Sequence, residues 1–572
     1  MAGSRRILSC LLVFWAIWPV QAASPPPLAG TGGAVVSDDP LATEVGLEIL
    51  RRGGNAVDAA VATALALAVT YPEAGNLGGG GFAVVKWGAE VAALDFREVA
   101  PAAASERMYL DERGEPIPDA SLIGPLAAGV PGSPAGLAEL HRRYGSLPWR
   151  EVVTPARRLA SEGFAVRRQL TDQIERNRAL LARFPESAAT WLPGGQAPAP
   201  GSILRQPELG ATLARWAESG GLTALSEVAR RVEEDSRLLG GILRADEILR
   251  YQPVWREPLR FTAFGWQVAT MPLPSSGGVI FAQTARLLES FGWQAAPRFG
   301  ADRAHGLAEA LRRAFAARYR LGDPETSELS PAELLAAPSL ASLAASYSRE
   351  RATPSESLRP AVAALGESQD TTHLAVIDGQ GRIVSLTTTL NALFGCGLYV
   401  PGFGFLNNEM DDFATAPGRP NLFGLVQGEA NAVRPGRRML SSMSPTVAWR
   451  SAGEGKEEEA LAVGGRGGSR IASHVVQVLL NVLADGDSIQ AALDRPRLHH
   501  QWLPDQLEAE LDALSPETRA ELERRGHRLV SATSTARVHA LARRPDGTLE
   551  AAVEPRGTGR AGVVALLPGE LP

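Results

Sequence analysis

The sequence predicts a mixed α/β protein, and three segments carry that prediction. Residues 40–69 have the apolar spacing of two helices separated by Gly53 and Gly54, and the second helix is apolar nearly all round. Residues 133–250 are rich in Ala, Leu, Arg and Glu with helical periodicity. From Thr371 onward, short strand patterns alternate with Gly and Asp turns. We therefore expect a helical layer, followed by strands in the last part of the chain.

Further helices are predicted in two other regions. Residues 302–350 have helical periodicity, and Asp323 and Ser330, each followed by Pro, predict helix starts because Asp or Ser caps an amino end and Pro suits the first turn. An apolar periodic run predicts a helix near 475–486. The composition changes in a stretch with Pro and Ser between residues 350 and 370, which predicts a boundary there.

Composition excludes several classes of protein. The 572 residues carry 57 Lys and Arg against 63 Asp and Glu, a formal charge of −6, and 45% of them are apolar. This balance is typical of a globular protein, and the absence of a basic stripe argues against a nucleic-acid partner. Because single cores stop growing at about 250–300 residues, we expect two domains or one large multilayered domain.

Residues 1–22 have the pattern of a signal peptide. Two arginines precede an apolar run, and small residues mark a cleavage site before Ala23. The run is shorter than the ~20 apolar residues that span a bilayer, which predicts export and no membrane span. Cys10 would leave with this segment, so Cys396 would have no intrachain disulfide partner.

The usual catalytic and cofactor motifs are missing. The sequence has no G-x-S-x-G elbow, no H-E-x-x-H, no C-x-x-C and no G-x-x-x-x-G-K. The glycine-rich run at 78–81 lacks the lysine of a phosphate loop, and the adjacent His499 and His500 would point to opposite faces of a strand. We therefore expect neither a nucleotide site nor a metal site.

Residues 370–391, DTTHLAVIDGQGRIVSLTTTLN, predict a β-hairpin. A three-residue loop at 379–381 would place Thr389 opposite Thr371, whereas a loop one residue different would place Thr388 there. From the residues alone, facing threonines are more often ordinary cross-strand contacts than a catalytic pair.

Ordered runs spread over almost the whole mature chain resemble the γ-glutamyltranspeptidase family of the N-terminal-nucleophile hydrolase superfamily. The matching runs are DPLATEVGLEILRRGGNAVDAAVA, GNLGGGGF, DFRE, PSSGG, TTHLAVID, FLNNEMDDF, LSSMSPT, GGSRI and RPRLHHQWLPD. The resemblance implies a four-layer αββα sandwich, with two stacked sheets between helical layers. It implies no cofactor and no metal.

The resemblance also implies that the precursor cleaves itself between Asp370 and Thr371. Residues 23–370 and 371–572 would then form a heterodimer of a large and a small subunit. The free amine of Thr371, which titrates near ~8 in a model α-amino group, would take the proton of its own hydroxyl. Thr389, at the position of the family's second threonine, would hydrogen-bond and orient Thr371.

The resemblance further implies a site for a γ-glutamyl donor. The residues implied to hold its α-carboxylate are Arg97, Ser441 and Ser442. The residues implied to hold its α-amino group are Asn391, Glu409 and Asp412. A guanidinium fork suits a carboxylate, while two carboxylates and an amide oxygen suit an ammonium group.

Two more features follow from the resemblance. Gly467 and Gly468 match the backbone N–H pair of an oxyanion hole, where glycine permits close approach. Residues 416–428 match a lid, in which Phe423 stands where many bacterial members carry a tyrosine. Phe423 lacks the hydroxyl that would bond Asn391, so we expect looser closure and a changed balance between hydrolysis and transfer.

Three functions are compared. The first is a γ-glutamyl hydrolase and transpeptidase, which passes the glutamyl group of glutathione or a similar amide to water, amino acids or peptides. The second is an acylase for glutaryl or cephalosporin side chains, which would leave Glu409 and Asp412 buried without an ammonium partner. The third is a non-catalytic exported binding protein, which the intact Thr371, Thr389 and glycine pair argue against.

Overall fold

The computed structural model of the protein describes residues 24–358, 371–453, 458–532 and 536–565. The predicted signal peptide, 1–22, and the cleavage-site residue Asp370 lie outside these ranges. Among the described residues, no helix combines the length and the hydropathy that a bilayer span requires.

The strands belong mainly to two large sheets. In chain order they are β1 Leu28–Gly30, β2 Gly33–Ser37, β3 Gly80–Trp87, β4 Glu90–Phe96, β5 Phe164–Ala165, β6 Ile203–Leu204, β7 Val254–Arg256, β8 Leu259–Ala263, β9 Trp266–Thr270, β10 Thr372–Asp378, β11 Ile383–Thr389, β12 Tyr399–Val400, β13 Gly404–Phe405, β14 Thr446–Arg450, β15 Glu459–Arg466, β16 Leu498–His499, β17 Leu507–Glu510, β18 Leu529–Ala532, β19 Arg537–Arg543, β20 Leu549–Ala552 and β21 Arg560–Val564. Within the described ranges, each large sheet has seven strands, in the orders β21-β2-β10-β11-β3-β4-β7 and β1-β20-β19-β15-β14-β9-β8. We call them the first and the second sheet, and both are antiparallel throughout.

Helices cover the outer faces of both sheets. In chain order they are α1 Pro40–Arg51, α2 Ala56–Thr70, α3 Ser133–Tyr144, α4 Trp149–Glu162, α5 Arg168–Arg176, α6 Arg178–Leu181, α7 Pro185–Trp191, α8 Pro207–Ser219, α9 Ser226–Leu238, α10 Ala245–Arg250, α11 Gly277–Ser290, α12 Ala301–Arg318, α13 Pro331–Leu335, α14 Ala337–Ala345, α15 Ser355–Leu358, α16 Arg470–Leu483, α17 Ile489–Asp494 and α18 Pro516–Arg524. Helices α1 to α4 share a core with the first sheet, and α11, α12 and α16 share a core with the second sheet. The molecule is therefore a four-layer αββα sandwich, as the resemblance implies.

The predicted helix pair at 40–69 is confirmed. Helix α1 ends before Gly53, whose φ of +85° a residue with a side chain adopts only with strain. A capping box then starts α2, because the Asn55 side chain accepts from the Asp58 amide and the Asp58 carboxylate accepts from the Asn55 amide. Every residue of α2 is buried, which explains its lack of a polar face.

Alternating residues of the first sheet enter different cores. Leu374 and Val376 of β10 pack with α2 in the outer core, whereas Ala375 and Ile377 pack between the two sheets. Since side chains of a strand alternate between faces, burial on both faces explains why β10 reads as a nearly continuous apolar run.

The hairpin register is the one given by the three-residue loop. Thr372 pairs with Thr388, and Ile377 pairs with Ile383. The turn closes with a hydrogen bond of 3.0 Å from the Asp378 amide to the Arg382 carbonyl. This register places Thr371 and Thr389 on the same face at the end of the hairpin.

The chain segments before and after residue 370 share both sheets. Strands β10 and β11 lie between β2 and β3 in the first sheet, and β14 and β15 lie between β9 and β19 in the second sheet. The predicted boundary at 350–370 therefore does not separate two independent domains. A chain cut before Thr371 would keep its two parts joined by ladder hydrogen bonds and common cores.

The antiparallel strand order brings the segments of the candidate site together at one end of the strands. The ends of β2, β4 and β11 and the starts of β3 and β10 lie together in the first sheet. The ends of β9 and β15 and the start of β14 lie together in the second sheet. The cleft described below lies where these two groups of strand ends meet.

One of the two predicted helix starts is wrong. Ser330 caps α13 by accepting a hydrogen bond from the Glu333 amide, as expected. Asp323 instead closes a turn, in which its carboxylate accepts from Glu325 and its carbonyl accepts from Thr326. Asx turns use the same Asp-Pro chemistry as helix caps, so the local sequence does not separate the two structures.

Burial predicts how the core responds to truncation. Leu386 of β11 is fully buried, so Leu386→Ala should lower the free energy of unfolding by about 2–5 kcal/mol through lost transfer energy and a cavity. Leu238, which is 65% exposed, provides the matched control, and Leu238→Ala should change the free energy by less than about 0.5 kcal/mol. Urea titration of both variants measures this difference, and equal losses would contradict the assigned core.

Candidate active site

Thr371 and Thr389 face each other at the end of the hairpin. Their hydroxyl oxygens are 3.5 Å apart, and both residues are buried. The Thr389 hydroxyl also accepts a hydrogen bond of 2.8 Å from the Asn391 amide. Thr389 is therefore held with its hydroxyl directed at the Thr371 oxygen.

Thr388 occupies the opposite face of the hairpin and is not part of the pair. Its hydroxyl donates to the Gly80 carbonyl at 2.8 Å and accepts from the Asn76 side chain at 3.1 Å. The Asn76 side chain also donates to the Thr389 carbonyl at 2.9 Å. These contacts pin the last residues of β11, which fixes the direction of the Thr389 side chain.

Arg97 lies at the base of the cleft among three carboxylates. It follows β4 and is 1% exposed. One of its terminal nitrogens lies 2.7 Å from Glu409 and 2.5 Å from Asp412, and the other lies 3.4 Å from Glu98. Because 97 and 409–412 are far apart in sequence, this cluster forms only in the folded chain.

The cluster shifts the pKa values of its members. Burial raises the pKa of Glu409 well above its usual range, and it also raises that of Asp412 and brings that of Glu98 to about 7, although Arg97 opposes all three shifts. Burial alone would lower the pKa of Arg97, but the carboxylates raise it. Arg97 therefore stays charged, and a second cation would favour ionisation of the carboxylates.

Ser441 and Ser442 precede β14 at the wall of the cleft. The Ser441 amide donates to the Pro274 carbonyl at 2.8 Å, and the Ser441 carbonyl accepts from the Ser276 hydroxyl at 2.7 Å. This pairing attaches the serine loop to the turn that starts α11. The serine pair is thereby held rigidly in the cleft wall.

Gly467 and Gly468 form the turn between β15 and α16. Their φ values of +130° and +56° lie in the left-handed region that favours glycine. Among the described residues, neither amide donates to a backbone acceptor. Gly468 lines the same cleft as Thr371, so this turn can offer backbone N–H groups to an oxyanion.

Residues 416–428 form a loop that folds back on itself, and its Phe423 lines the cleft. An isolated bridge pairs Pro420 with Val426, and the Asn421 side chain donates to Asp412 at 3.3 Å. The Leu422 amide donates to Asp411 at 2.9 Å. These two hydrogen bonds attach the segment to Asp411 and Asp412, and neither of them uses a hydroxyl at position 423.

The cleft collects ten residues predicted from the sequence. The predicted residues that line it are Arg97, Thr371, Thr389, Asn391, Glu409, Asp412, Phe423, Ser441, Ser442 and Gly468. Gly467 is adjacent to Gly468 in the same turn, and Asp370 lies outside the described residues.

Sequence reasoning missed several residues of the site. Met443 and Ile471 supply apolar lining. Glu98 completes the carboxylate set, and Asn421 joins the 416–428 segment to Asp412. The fully buried Arg318 donates to Ser276 and Gln427. Glu98 adjoins Arg97 in DFRE, but nothing in the sequence reveals the partners of Asn421 and Arg318.

One cluster in the described ranges has side chains typical of metal ligands, namely His305, Glu309 and His527. The His305 and His527 ring nitrogens lie 2.7 Å apart, which is a hydrogen bond and shorter than the ~3.3 Å between two ligands of a tetrahedral zinc. Glu309 already accepts from Arg313 and Thr353. Because the two histidines bond each other and Glu309 already accepts from two side chains, no metal is assigned to the cluster.

The arrangement has the parts that acyl transfer needs. Thr371 places a hydroxyl in the cleft, and the Thr389 hydroxyl lies beside it. The Gly467–Gly468 turn can offer backbone N–H groups to an oxyanion. The buried base of the cleft carries both a guanidinium and carboxylates, which suits a substrate whose end bears one negative and one positive charge.

Comparisons with known proteins agree with this chemistry. A family profile described as Gamma-glutamyltranspeptidase matches residues 42–564. The chain is 38% identical over 570 residues to the glutathione hydrolase proenzyme of Escherichia coli strain K12, covering 96% of this chain and 97% of that protein. It is 41% identical to the glutathione hydrolase proenzyme of Pseudomonas aeruginosa, covering 94% of this chain and 96% of that protein. The crystal structure of a cephalosporin acylase from Bacillus halodurans matches with a TM-score of 0.81 at 26% identity, covering 96% of this chain and 99% of that chain.

The profile match includes every residue that lines the cleft. The sandwich fold agrees with the structural neighbour, and the sequence relatives are proenzymes. The chain belongs to the γ-glutamyltranspeptidase family.

Proposed function

We propose that the protein is a γ-glutamyl hydrolase and transpeptidase that cleaves γ-glutamyl amides such as glutathione. The strongest support is the buried group of Arg97, Glu409 and Asp412 in the same cleft as Thr371. An α-amino acid end carries one carboxylate and one ammonium, and this group offers a partner to each. The glutathione hydrolase relatives support the choice of substrate.

Processing comes first in this proposal. The Thr371 hydroxyl attacks the Asp370 carbonyl carbon, the peptide C–N bond breaks, and an ester to the Thr371 oxygen forms while the Thr371 nitrogen becomes a free amine. Water then hydrolyses the ester, which leaves a carboxylate on Asp370 and releases a small chain of 202 residues that begins at Thr371. The two chains stay associated as a heterodimer because both sheets contain strands from each. The new α-amine, which titrates near ~8, then serves as the general base for the same hydroxyl.

The γ-glutamyl donor binds by replacing the ion pairs that Arg97 makes with Glu409 and Asp412. Its α-carboxylate pairs with Arg97 and the Ser441 and Ser442 hydroxyls. Its ammonium pairs with Glu409, Asp412 and the Asn391 side chain. Each charge of the donor then finds a partner, and the carboxylates gain a second cation beside Arg97.

Catalysis follows two acyl-transfer steps. The amine of Thr371 takes the hydroxyl proton while the oxygen attacks the γ-carbonyl carbon, and the Gly467 and Gly468 amides stabilise the oxyanion. The C–N bond breaks, the leaving amine takes the proton, and a γ-glutamyl ester of Thr371 remains. Water or the amino group of an amino acid or peptide then attacks the ester and releases Thr371, which gives ping-pong kinetics.

A glutaryl or cephalosporin acylase is the second candidate, and the match to the cephalosporin acylase structure favours it. A glutaryl chain has no ammonium, so it would leave Glu409 and Asp412 without a new partner. Such buried carboxylates are costly unless they become protonated. The charge pattern of the cleft therefore supports the γ-glutamyl donor over the glutaryl chain.

The proposal includes export. The N-terminal pattern of residues 1–22 supports removal of a signal peptide and action outside the cytoplasm, in the periplasm or medium of a bacterium. The partners are then small γ-glutamyl donors and amino acid or peptide acceptors.

Processing can be tested by Thr371→Ala. Intact mass and N-terminal sequencing should show a 202-residue chain beginning Thr-Thr-His in the wild type and a single chain in the variant, because alanine lacks the attacking hydroxyl. Thr154→Ala is the matched control, since the Thr154 hydroxyl bonds the Arg150 carbonyl within α4, away from the cleft, and this variant should still be cut. A wild-type chain that stays whole after folding would contradict the nucleophile assignment.

Donor recognition can be tested by Glu409→Gln and Asp412→Asn. Each variant should lower kcat/KM for a γ-glutamyl anilide about 10- to 100-fold, since a hydrogen bond to a charged group contributes about 1.5–3 kcal/mol. The matched glutaryl anilide, which lacks only the ammonium, is the internal control and should lose less than about 3-fold. Equal losses on both substrates would contradict an ammonium site.

The pH dependence tests the same carboxylates. Burial raises the pKa values of Glu409 and Asp412, so their anionic forms are lost at higher pH than those of exposed carboxylates. As the pH falls, kcat/KM for the γ-glutamyl anilide should therefore fall before that for the glutaryl anilide. The Thr371 amine affects both substrates alike, so the ratio of the two profiles isolates the carboxylates. A ratio that does not change with pH would contradict the assignment.

A further inference from the structure

The buried carboxylate of Asp38, outside the Arg97 cluster, contacts both sheets. Asp38 directly follows β2 and is 1% exposed. One carboxylate oxygen accepts from the Thr372 hydroxyl at 3.0 Å and lies 3.4 Å from the His373 amide nitrogen. The other oxygen lies 3.2 Å from Nε of Arg466 and 3.2 Å from Nε2 of His539.

These contacts involve residues next to both the nucleophile and the oxyanion turn. Thr372 is the residue after the nucleophile Thr371, and Arg466 is the residue before Gly467 of the oxyanion turn. Thr372 belongs to the first sheet and Arg466 to the second. We propose that Asp38 is a positioning residue that fixes the nucleophile relative to the oxyanion donors.

The geometry of the sandwich explains why such a residue is needed. Ladder hydrogen bonds fix strands within a sheet, but apolar side chains make most contacts between the sheets, and those contacts are not directional. Acyl transfer is sensitive to placement, since a shift of about 1 Å in a reacting group costs about 100-fold in rate. Asp38 accepts a hydrogen bond from the first sheet and forms an ion pair with the second, next to Thr371 and Gly467. It adds to the polar connection that Ser385 of β11 makes with Val463 and Thr446 of the second sheet.

The charge of Asp38 is maintained by its partners. Burial alone would raise the pKa of Asp38, but Arg466 and His539 hold it below the usual range. Arg466 also lies over the Tyr71 ring, with its guanidinium carbon 5.8 Å from the ring centroid. Asp38 and Arg466 therefore form an ion pair, and each of them has further contacts that keep it in place. This pair requires the negative charge of Asp38 as well as its shape.

The residues around Asp38 are closely packed. His373 lies between the sheets, where its Nδ1 bonds the Thr387 hydroxyl at 2.8 Å and its ring stacks on His539. A side chain at Gly464 would place its Cβ 2.2 Å from the His373 ring. Asp38 itself lies outside residues 42–564, to which the family profile is matched.

Asp38→Asn tests this role, which rests on the proposed function, because it removes the charge and keeps the shape. We expect kcat for the γ-glutamyl anilide to fall about 10- to 100-fold while KM changes less than about 3-fold, since Arg97, Glu409 and Asp412 are unchanged. Self-cleavage should slow as well, because it uses the same nucleophile. All rates are measured on heterodimer that contains the 202-residue chain, with thermal melting recorded in parallel.

Asp378→Asn is the matched control. Asp378 lies at the opposite end of β10, is 3% exposed and pairs with Arg382 at 2.6 Å. This variant should keep kcat within about 3-fold of the wild type even where its melting temperature falls. Equal kcat losses in both Asp variants would show a general loss of stability and overturn the proposal.

Arg466 provides the second test. Arg466→Lys keeps the charge and should retain more kcat than Arg466→Met. The losses of Asp38→Asn and Arg466→Met should not multiply in the double variant, because both break one connection. Independent losses, or a wild-type kcat in Asp38→Asn, would overturn the proposal. If the wild type cleaves only the glutaryl anilide, the proposed donor is wrong, and the same kcat comparison on that substrate still decides the role of Asp38.

Discussion

One buried guanidinium shared by three buried carboxylates is the interaction on which the cleft depends. Arg97 lies within ion-pair distance of Glu98, Glu409 and Asp412. Arg97 is the cation that the three carboxylates share, so removing it would leave them buried without that partner, and breaking a buried ion pair in this way costs about 3–5 kcal/mol. The cluster therefore joins the end of β4 to the 409–412 turn.

The sandwich places the reacting groups around this cluster. The hairpin register puts Thr371 beside Thr389, and the end of β15 brings the Gly467–Gly468 turn across from the other sheet. Because strands from both sides of residue 370 pair with each other in each sheet, a new amino end can form at Thr371 without separating the chains. Asp38 also contacts both sheets, through Thr372 of the first and Arg466 of the second.

Local sequence predicted the parts of the structure that depend on local chemistry. The split of the first two helices at Gly53 and Gly54 is confirmed, whereas the sequence left the register of the hairpin open between Thr388 and Thr389. The same kind of evidence was wrong at Asp323, because an Asp-Pro pair suits both a turn and a helix start. The four layers and the site residues were predicted only through the family resemblance.

Contacts between distant segments could not be predicted in this way. Asn421 reaches Asp412 and Arg318 reaches Gln427 only after the chain has folded. Asp38 appears in sequence as an ordinary residue before a helix cap, and its role depends on Arg466 more than 400 residues later. Burial, which raises the pKa of Glu98 to about 7, is likewise a property of the folded cleft.

The most direct test of the account is the mass of the covalent intermediate. The processed wild type would be quenched with acid during turnover of a γ-glutamyl anilide, and its two chains weighed separately and mapped by peptide digestion. The account predicts that the 202-residue chain gains one glutamyl acyl group on its N-terminal peptide, at Thr371. An active enzyme without that adduct, or with the acyl group on another residue, would contradict it.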